Sequence, residues 1–197
     1  MFLRGFVILI ATLCLFSACT PHQYEAKTGG RAESLTVKTY SAPETGFLVN
    51  SHLLLAKNEV ILIDAQFTRS AARKLATTLR ATEKKLTSIF ITHAHPDHYF
   101  GLEILAEQFP NARIYARRQI VEQIKSSGEA KRAYWKNIYK DDLTDTLVVP
   151  QVYDQDFVSL GGNLIYLIDL PTGESEASTA FYIPSIKTIA TGDNIYS

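Results

Sequence analysis

Three of the five histidines in this 197-residue chain fall within six positions, in the run Thr92-His93-Ala94-His95-Pro96-Asp97-His98. No other feature limits the fold so tightly. The run follows Ser88-Ile89-Phe90-Ile91, a continuous apolar stretch that reads as a strand covered on both faces. At a strand end, His93 and His95 lie two apart and point the same way. Asp97 and His98 sit on the turn into the next helix and face a second point nearby. Pro96 stiffens that turn. Imidazole and carboxylate are the groups zinc takes at about 2 Å where no thiolate is to hand. Two such centres about 4 Å apart lower the proton affinity of a shared hydroxide and polarise a scissile carbonyl or phosphoryl group.

The N-terminus has a different character. Met1-Phe2-Leu3-Arg4-Gly5 carries one positive charge, Phe6 to Phe16 is almost wholly apolar, and Ser17-Ala18-Cys19 supplies small residues. That layout predicts a secretory signal over 1–18. Leu15-Phe16-Ser17-Ala18-Cys19 also resembles a bacterial lipoprotein box, with Phe16 where leucine is usual. The expected location is therefore exported, either periplasmic or anchored by a lipid on Cys19, its only expected tie to a membrane. A polar spacer over 19–34 follows, and one domain over 35–197. Cys14 and Cys19 are the only cysteines, so the mature domain has no disulfide, and nitrogen and oxygen must hold any metal. Twenty basic residues balance twenty acidic ones, which disfavours a nucleic-acid partner.

Short strands are expected at Leu35–Tyr40 by alternation, at Phe47-Leu48-Val49 and Leu53-Leu54-Leu55, and at Val60–Ile63 as a continuous apolar run ending at Asp64. Thr68 is placed to cap a helix bearing Ala72, Leu75, Ala76 and Leu79 on one face. Helices are expected at 101–109 and 118–139, with a strand at 113–116 between them. Lys131, Arg132, Lys136 and Lys140 on the second helix read as a solvated face. Strands are expected again at 147–149, 163–170, 178–183 and 187–191. Sheets packed face to face with helices outside follow from this order.

The histidine run resembles the His-x-His-x-Asp-His signature of the metallo-β-lactamase superfamily, and Ile61-Leu62-Ile63-Asp64 and Phe47-Leu48-Val49-Asn50-Ser51 resemble its early strands. The resemblance covers roughly Leu35 to the end. It implies an α+β fold, a four-layer αββα sandwich with metals at one edge between the sheets. It implies His93 and His95 as ligands of a first zinc, and Asp97 and His98 of a second. Asp97 also orients the attacking water in this reading. Asp193, in Ala190-Thr191-Gly192-Asp193, takes the place of the aspartate that bridges both metals. Asp64 fixes the histidine loop by hydrogen bonds.

Two departures stand out. Pro171-Thr172-Gly173-Glu174-Ser175 occupies the place of the family's Pro-Gly-His turn, and no histidine follows His98. Glu174 is then either a ligand, shifting the site toward manganese or another hard divalent ion, or a solvated loop residue. The family also continues beyond the bridging aspartate through a strand, a helix and a last histidine. Here four residues follow Asp193, so the sandwich is expected to be incomplete at the C-terminus. A fragment or frameshift is the favoured account, beside elements lent by a partner or a partial site. His22 reads as a solvated spacer residue and His52 as a half-buried strand histidine near the mouth of the site.

The functional expectation is an exported metal-dependent hydrolase. It carries one or two divalent ions, zinc first, and acts on an ester, lactone, amide or related bond of a small molecule, β-lactams included. The competing expectation is a catalytically silent exported binding protein on a degenerate scaffold.

Overall fold

A computed structural model of the chain describes residues 32–195. The export signal, Cys19 and its lipid, His22 and the spacer to residue 31 lie outside the described residues, as do residues 196 and 197.

The first sheet has six strands in sequence order: β1 (Thr36–Ser41), β2 (Asn50–Leu55), β3 (Glu59–Ile63), β4 (Lys85–Phe90), β5 (Arg113–Ala116) and β6 (Gln151–Val152). Its first pairings are antiparallel, and those from β3 to β6 are parallel. The helices α1 (Arg69–Arg80), α2 (Pro96–Tyr99), α3 (Leu102–Gln108) and α4 (Arg118–Tyr139) form the connections. The second sheet is antiparallel and holds β7 (Phe157–Leu160), β8 (Asn163–Leu170), β9 (Ser178–Ile183) and β10 (Thr188–Ala190), in the order β10-β9-β8-β7.

β3 explains why the sandwich forms. Val60 and Leu62 join the core beneath the helices, with Leu75, Leu79, Leu105 and Ile124. Ile61 and Ile63 join the core between the sheets, with Phe90, Ile165, Phe181 and Ile183. A stretch buried on both faces must be apolar at every position, and Val60–Ile63 is. α1 buries Ala72, Leu75, Ala76 and Leu79 along one stripe. Its cap is Thr68, whose hydroxyl accepts from the Ala71 amide at 3.2 Å, worth about 1 kcal/mol. On the far face of the second sheet Tyr166, Ile168, Tyr182 and Ile189 remain 39–50% exposed.

Four expectations need correction. Phe47-Leu48-Val49 is a turn after a short 3-10 segment at Glu44–Gly46, with Phe47 and Leu48 both left-handed (φ 60° and 58°). Tertiary packing overrides β propensity here: the Phe47 ring sits 5.1 Å from that of Phe67 and 5.6 Å from that of Trp135. Leu147-Val148-Val149 is irregular chain packed on the helical core. Leu147 nests against Gly128, where an added Cβ would come within 2.8 Å of it, and pairing with β5 starts only at Gln151. β1 is mostly exposed rather than half-buried, being an edge strand paired with β2 alone. Packed structure also begins before Leu35, since the Glu33 amide donates to Gly161 O at 2.8 Å.

Candidate metal centre

β3 and β4 run parallel and end side by side. This places the loop after β3, which holds Asp64, against the histidine run after β4. Asp64 is left-handed (φ 63°), as is Gln66 (φ 77°), a strain that persists where surroundings over-determine the backbone. Those surroundings are hydrogen bonds. Asp64 Oδ1 accepts from the Thr92 amide at 2.9 Å, Oδ2 from the Thr92 hydroxyl at 2.8 Å, and Oδ2 from His98 Nδ1 at 2.8 Å. Gln66 Nε2 donates to Val49 O and Ser51 Oγ and so fixes the 47–49 turn.

The same network sets the histidine tautomers. His98 Nδ1 donates to Asp64, and His93 Nδ1 lies 2.9 Å from the Thr92 hydroxyl, whose own proton faces Asp64. Both rings therefore turn Nε2 inward. Both Nε2 atoms are buried and have no hydrogen-bond partner among the described residues. His93 Nε2 is then an orphaned buried acceptor, which is costly, and a cation in front of it removes that cost.

Carboxylates close the ring. Glu174 Oε1 lies 3.1 Å from His95 Nδ1, and its Oε2 lies 3.5 Å from His93 Nε2. Asp193 Oδ2 stands 3.2 Å from His98 Nε2 and 4.0 Å from His93 Nε2. Asp97 Oδ2 is 3.8 Å from His98 Nε2. Two donor sets result. His93, His95, Glu174 and Asp193 form one, Asp97, His98 and Asp193 the other, each with its atoms within 4.8 Å of one another. Asp193 belongs to both. It is delivered by a turn after β10 in which Gly192 has φ +55°, and a Cβ there would meet Thr92 Oγ1 at 2.7 Å.

The electrostatics are those of a cation site. Burial, with His98 beside it, pushes the His93 pKa down to about 3. His98 is raised well above its ordinary value: burial opposes its charge, but Asp64 and Asp193 outweigh it. Burial raises Asp97 despite His98. Burial would also raise Asp193, but the His98 imidazole, 3.2 Å away, holds it below the usual carboxylate range. The donors are nitrogen and oxygen throughout, a set suited to zinc and to harder divalent ions.

The structure thus brings together His93, His95, Asp97, His98, Glu174 and Asp193 as potential ligands, with Asp64 behind them. His52, in β2, bonds Thr39 Oγ1 through Nδ1 at 3.0 Å. It lines a cavity of about 640 Å³ that reaches His98 and Asp193 and has Phe47, Leu48 and Ile189 on its walls. Three residues had no assigned role in the sequence. Thr92 couples Asp64 to His93, and its hydroxyl directly before the motif was the available signal. Leu48 lines the cleft because its segment is a turn. Lys131, one of the basic residues on α4, donates to Ala94 O between the two histidines at 2.8 Å. Its neighbours Arg132 and Lys136 pair with Glu129 and Asp145.

The family model described as "Metallo-beta-lactamase superfamily" matches residues 45–197. A probable metallo-hydrolase of Streptococcus pyogenes serotype M6 is 25% identical over 152 residues, 75% of this chain and 62% of that protein. The uncharacterized protein YobT of Bacillus subtilis is 40% identical over 68 residues, 34% of this chain and 29% of that protein. The chain thus spans less than two thirds of either curated relative. Among solved structures, the BLEG-1 B3 metallo-beta-lactamase superposes with TM-score 0.61 at 16% identity, over 82% of this chain and 74% of that one. A beta-lactamase domain protein from Burkholderia ambifaria gives 0.62 at 17%, over 85% and 58%. At such identity the likeness concerns the fold alone. With the family model matching well over half of its length, the chain belongs to the metallo-β-lactamase superfamily.

Proposed function

We propose that this protein is an exported metal-dependent hydrolase that holds up to two divalent ions, zinc first, and cleaves an ester, lactone, amide or related bond in a small molecule. The observation that carries the reading is the pair of donor sets sharing Asp193, with the Nε2 atoms of His93 and His98 buried and unpartnered at their centre. The export part rests on the N-terminal signal pattern, with delivery to the periplasm or to a lipid anchor on Cys19.

His93, His95, Glu174 and Asp193 would hold one ion, and Asp97, His98 and Asp193 the other. The ions, when bound, supply a Lewis acid and a water made nucleophilic at neutral pH. The protein's own part is positional. Asp64 and Thr92 lock the tautomers, so that Nε2 of both buried rings keeps its lone pair toward the centre. Asp97 turns a carboxylate oxygen toward the same point and orients the attacking water. The flanking cavity admits the substrate, and Phe47 and Leu48 limit water on that side.

The test is hydrolysis of an ester, lactone and β-lactam panel by purified protein before and after chelation. Turnover that falls at least about tenfold with chelator, returns with zinc and is lost in His95→Ala supports the reading. Equal hydrolysis by wild type and His95→Ala across the panel overturns it in favour of a silent binding protein, and undiminished turnover without metal ends the metal-dependent reading.

A further inference from the structure

Gln123, Ser127 and Lys131 stand four residues apart along α4 and so share one face of the helix. That face does not pack into the core. Together with Ala94, His95 and Glu174 it lines a recess of about 410 Å³ beside the candidate metal centre. Lys131 Nζ spends one hydrogen on Ala94 O, which leaves two N–H groups with no partner among the described residues. The recess also contains two carboxylates. Glu174 is turned to His95 at 3.1 Å, and Glu176 accepts from Gln123 Nε2 at 3.2 Å. Lys131 is the one lysine or arginine among the lining residues. The cavity beside His98 and Asp193 is lined by Phe47, Leu48, Ile189 and Ile195 together with Asn50 and His52, and no lysine or arginine lines it.

We propose that Lys131 anchors a carboxylate of the substrate in this recess, so that the molecule cleaved carries an anionic group on the α4 side of the scissile bond. The inference rests on the hydrolase reading of the neighbouring centre. An ammonium short of solvent and already oriented by one hydrogen bond binds an oxyanion more strongly than a free surface lysine does. The carboxylates of the metal centre do not repel the anchored group once divalent ions offset them.

The experiment compares succinate with butyrate on the zinc-loaded protein by titration calorimetry. Each offers one carboxylate to the metals, and only succinate has a second for Lys131. The expected result is succinate binding about tenfold tighter. The preference disappears in Lys131→Met and in Lys131→Gln and is largely kept in Lys131→Arg, with zinc content and butyrate affinity unchanged. Equal affinities in the wild type, or a preference that survives in Lys131→Met, overturn the proposal. So does an equal loss for both ligands, which marks Lys131 as only a tether for Ala94. Elemental analysis of the same samples separates the two readings. Protein that takes up no zinc overturns both, whereas zinc-loaded protein that prefers succinate but hydrolyses nothing removes only the hydrolase assignment.

Discussion

Replacing Asp64 by asparagine should damage the metal centre without touching a ligand. Asp64 is 1% exposed and receives the Thr92 amide, the Thr92 hydroxyl and His98 Nδ1. In Asp64→Asn the amide oxygen must take the place of Oδ1, because the Thr92 N–H is fixed and can only donate. The NH2 group then faces His98 Nδ1, donor against donor at 2.8 Å. One outcome is a lost hydrogen bond with a buried donor left unpaired, costing about 1–3 kcal/mol. The other is that His98 switches tautomer and carries its proton on Nε2, the atom turned toward Asp193 and Asp97. Either way the second donor set weakens. Partners of this kind typically govern 10–100-fold in metal affinity, roughly 1.4–2.7 kcal/mol. Zinc affinities are read by competition against a chromophoric chelator, and the tautomer by long-range nitrogen–proton correlation of the His98 ring. Asp64→Asn binding its second ion with wild-type affinity would refute the reasoning, as would an unchanged His98 tautomer with no loss of stability. Asp64→Ala should be worse, losing about 3–5 kcal/mol of stability by stranding a buried partner, measured by urea denaturation.

Other perturbations probe other parts of the account. Glu174→His should restore a nitrogen donor and raise zinc affinity relative to manganese by about tenfold or more, seen in competitive loading; an unchanged ratio would show that Glu174 is no ligand. Asp193→Ala should reduce bound metal more than removal of any other single carboxylate, because it alone serves both donor sets, and elemental analysis reads this directly. In metal-free protein at pH 7, His93 should be neutral and His98 protonated, given His93 near 3 and His98 raised. Zinc uptake should then release that proton, so its calorimetric heat should vary with the ionisation enthalpy of the buffer; a buffer-independent heat would contradict the assignment. Phe67→Ala, in the aromatic cluster with Phe47, Phe100, Trp135 and Tyr139, should lose about 3–5 kcal/mol of stability in the same denaturation assay.

Much of this architecture was legible in the sequence because two signals are strong. Continuous apolar runs such as Val60–Ile63 belong to strands covered on both faces, and the 163–170 and 178–183 strands match their expected bounds. Donor residues clustered at a strand end are equally plain, and the structure brings His93, His95, Asp97 and His98 to one place. Glu174 and Asp193 lie far along the chain, and only the family resemblance pointed to them; their approach to the histidines is a property of the second sheet. Two of the errors share one cause. Phe47-Leu48-Val49 and Leu147-Val148-Val149 have strand-like composition, yet Phe47 is claimed by an aromatic cluster and Leu147 by the flank of α4. Short apolar triplets carry no period that separates pairing from packing. Charge patterning along α4 predicts a solvated Lys131 because it says nothing of the loop packed against the helix.

The central claim is that this cluster of imidazoles and carboxylates grips divalent ions, and the most direct test is the metal content of the folded protein. Purified chain, dialysed against trace zinc and measured by plasma mass spectrometry, should hold one to two ions per molecule. That content should fall sharply in His93→Ala and in Asp193→Ala while both variants stay folded. Folded wild-type protein with no bound metal, or with the same content in both variants, would contradict the account.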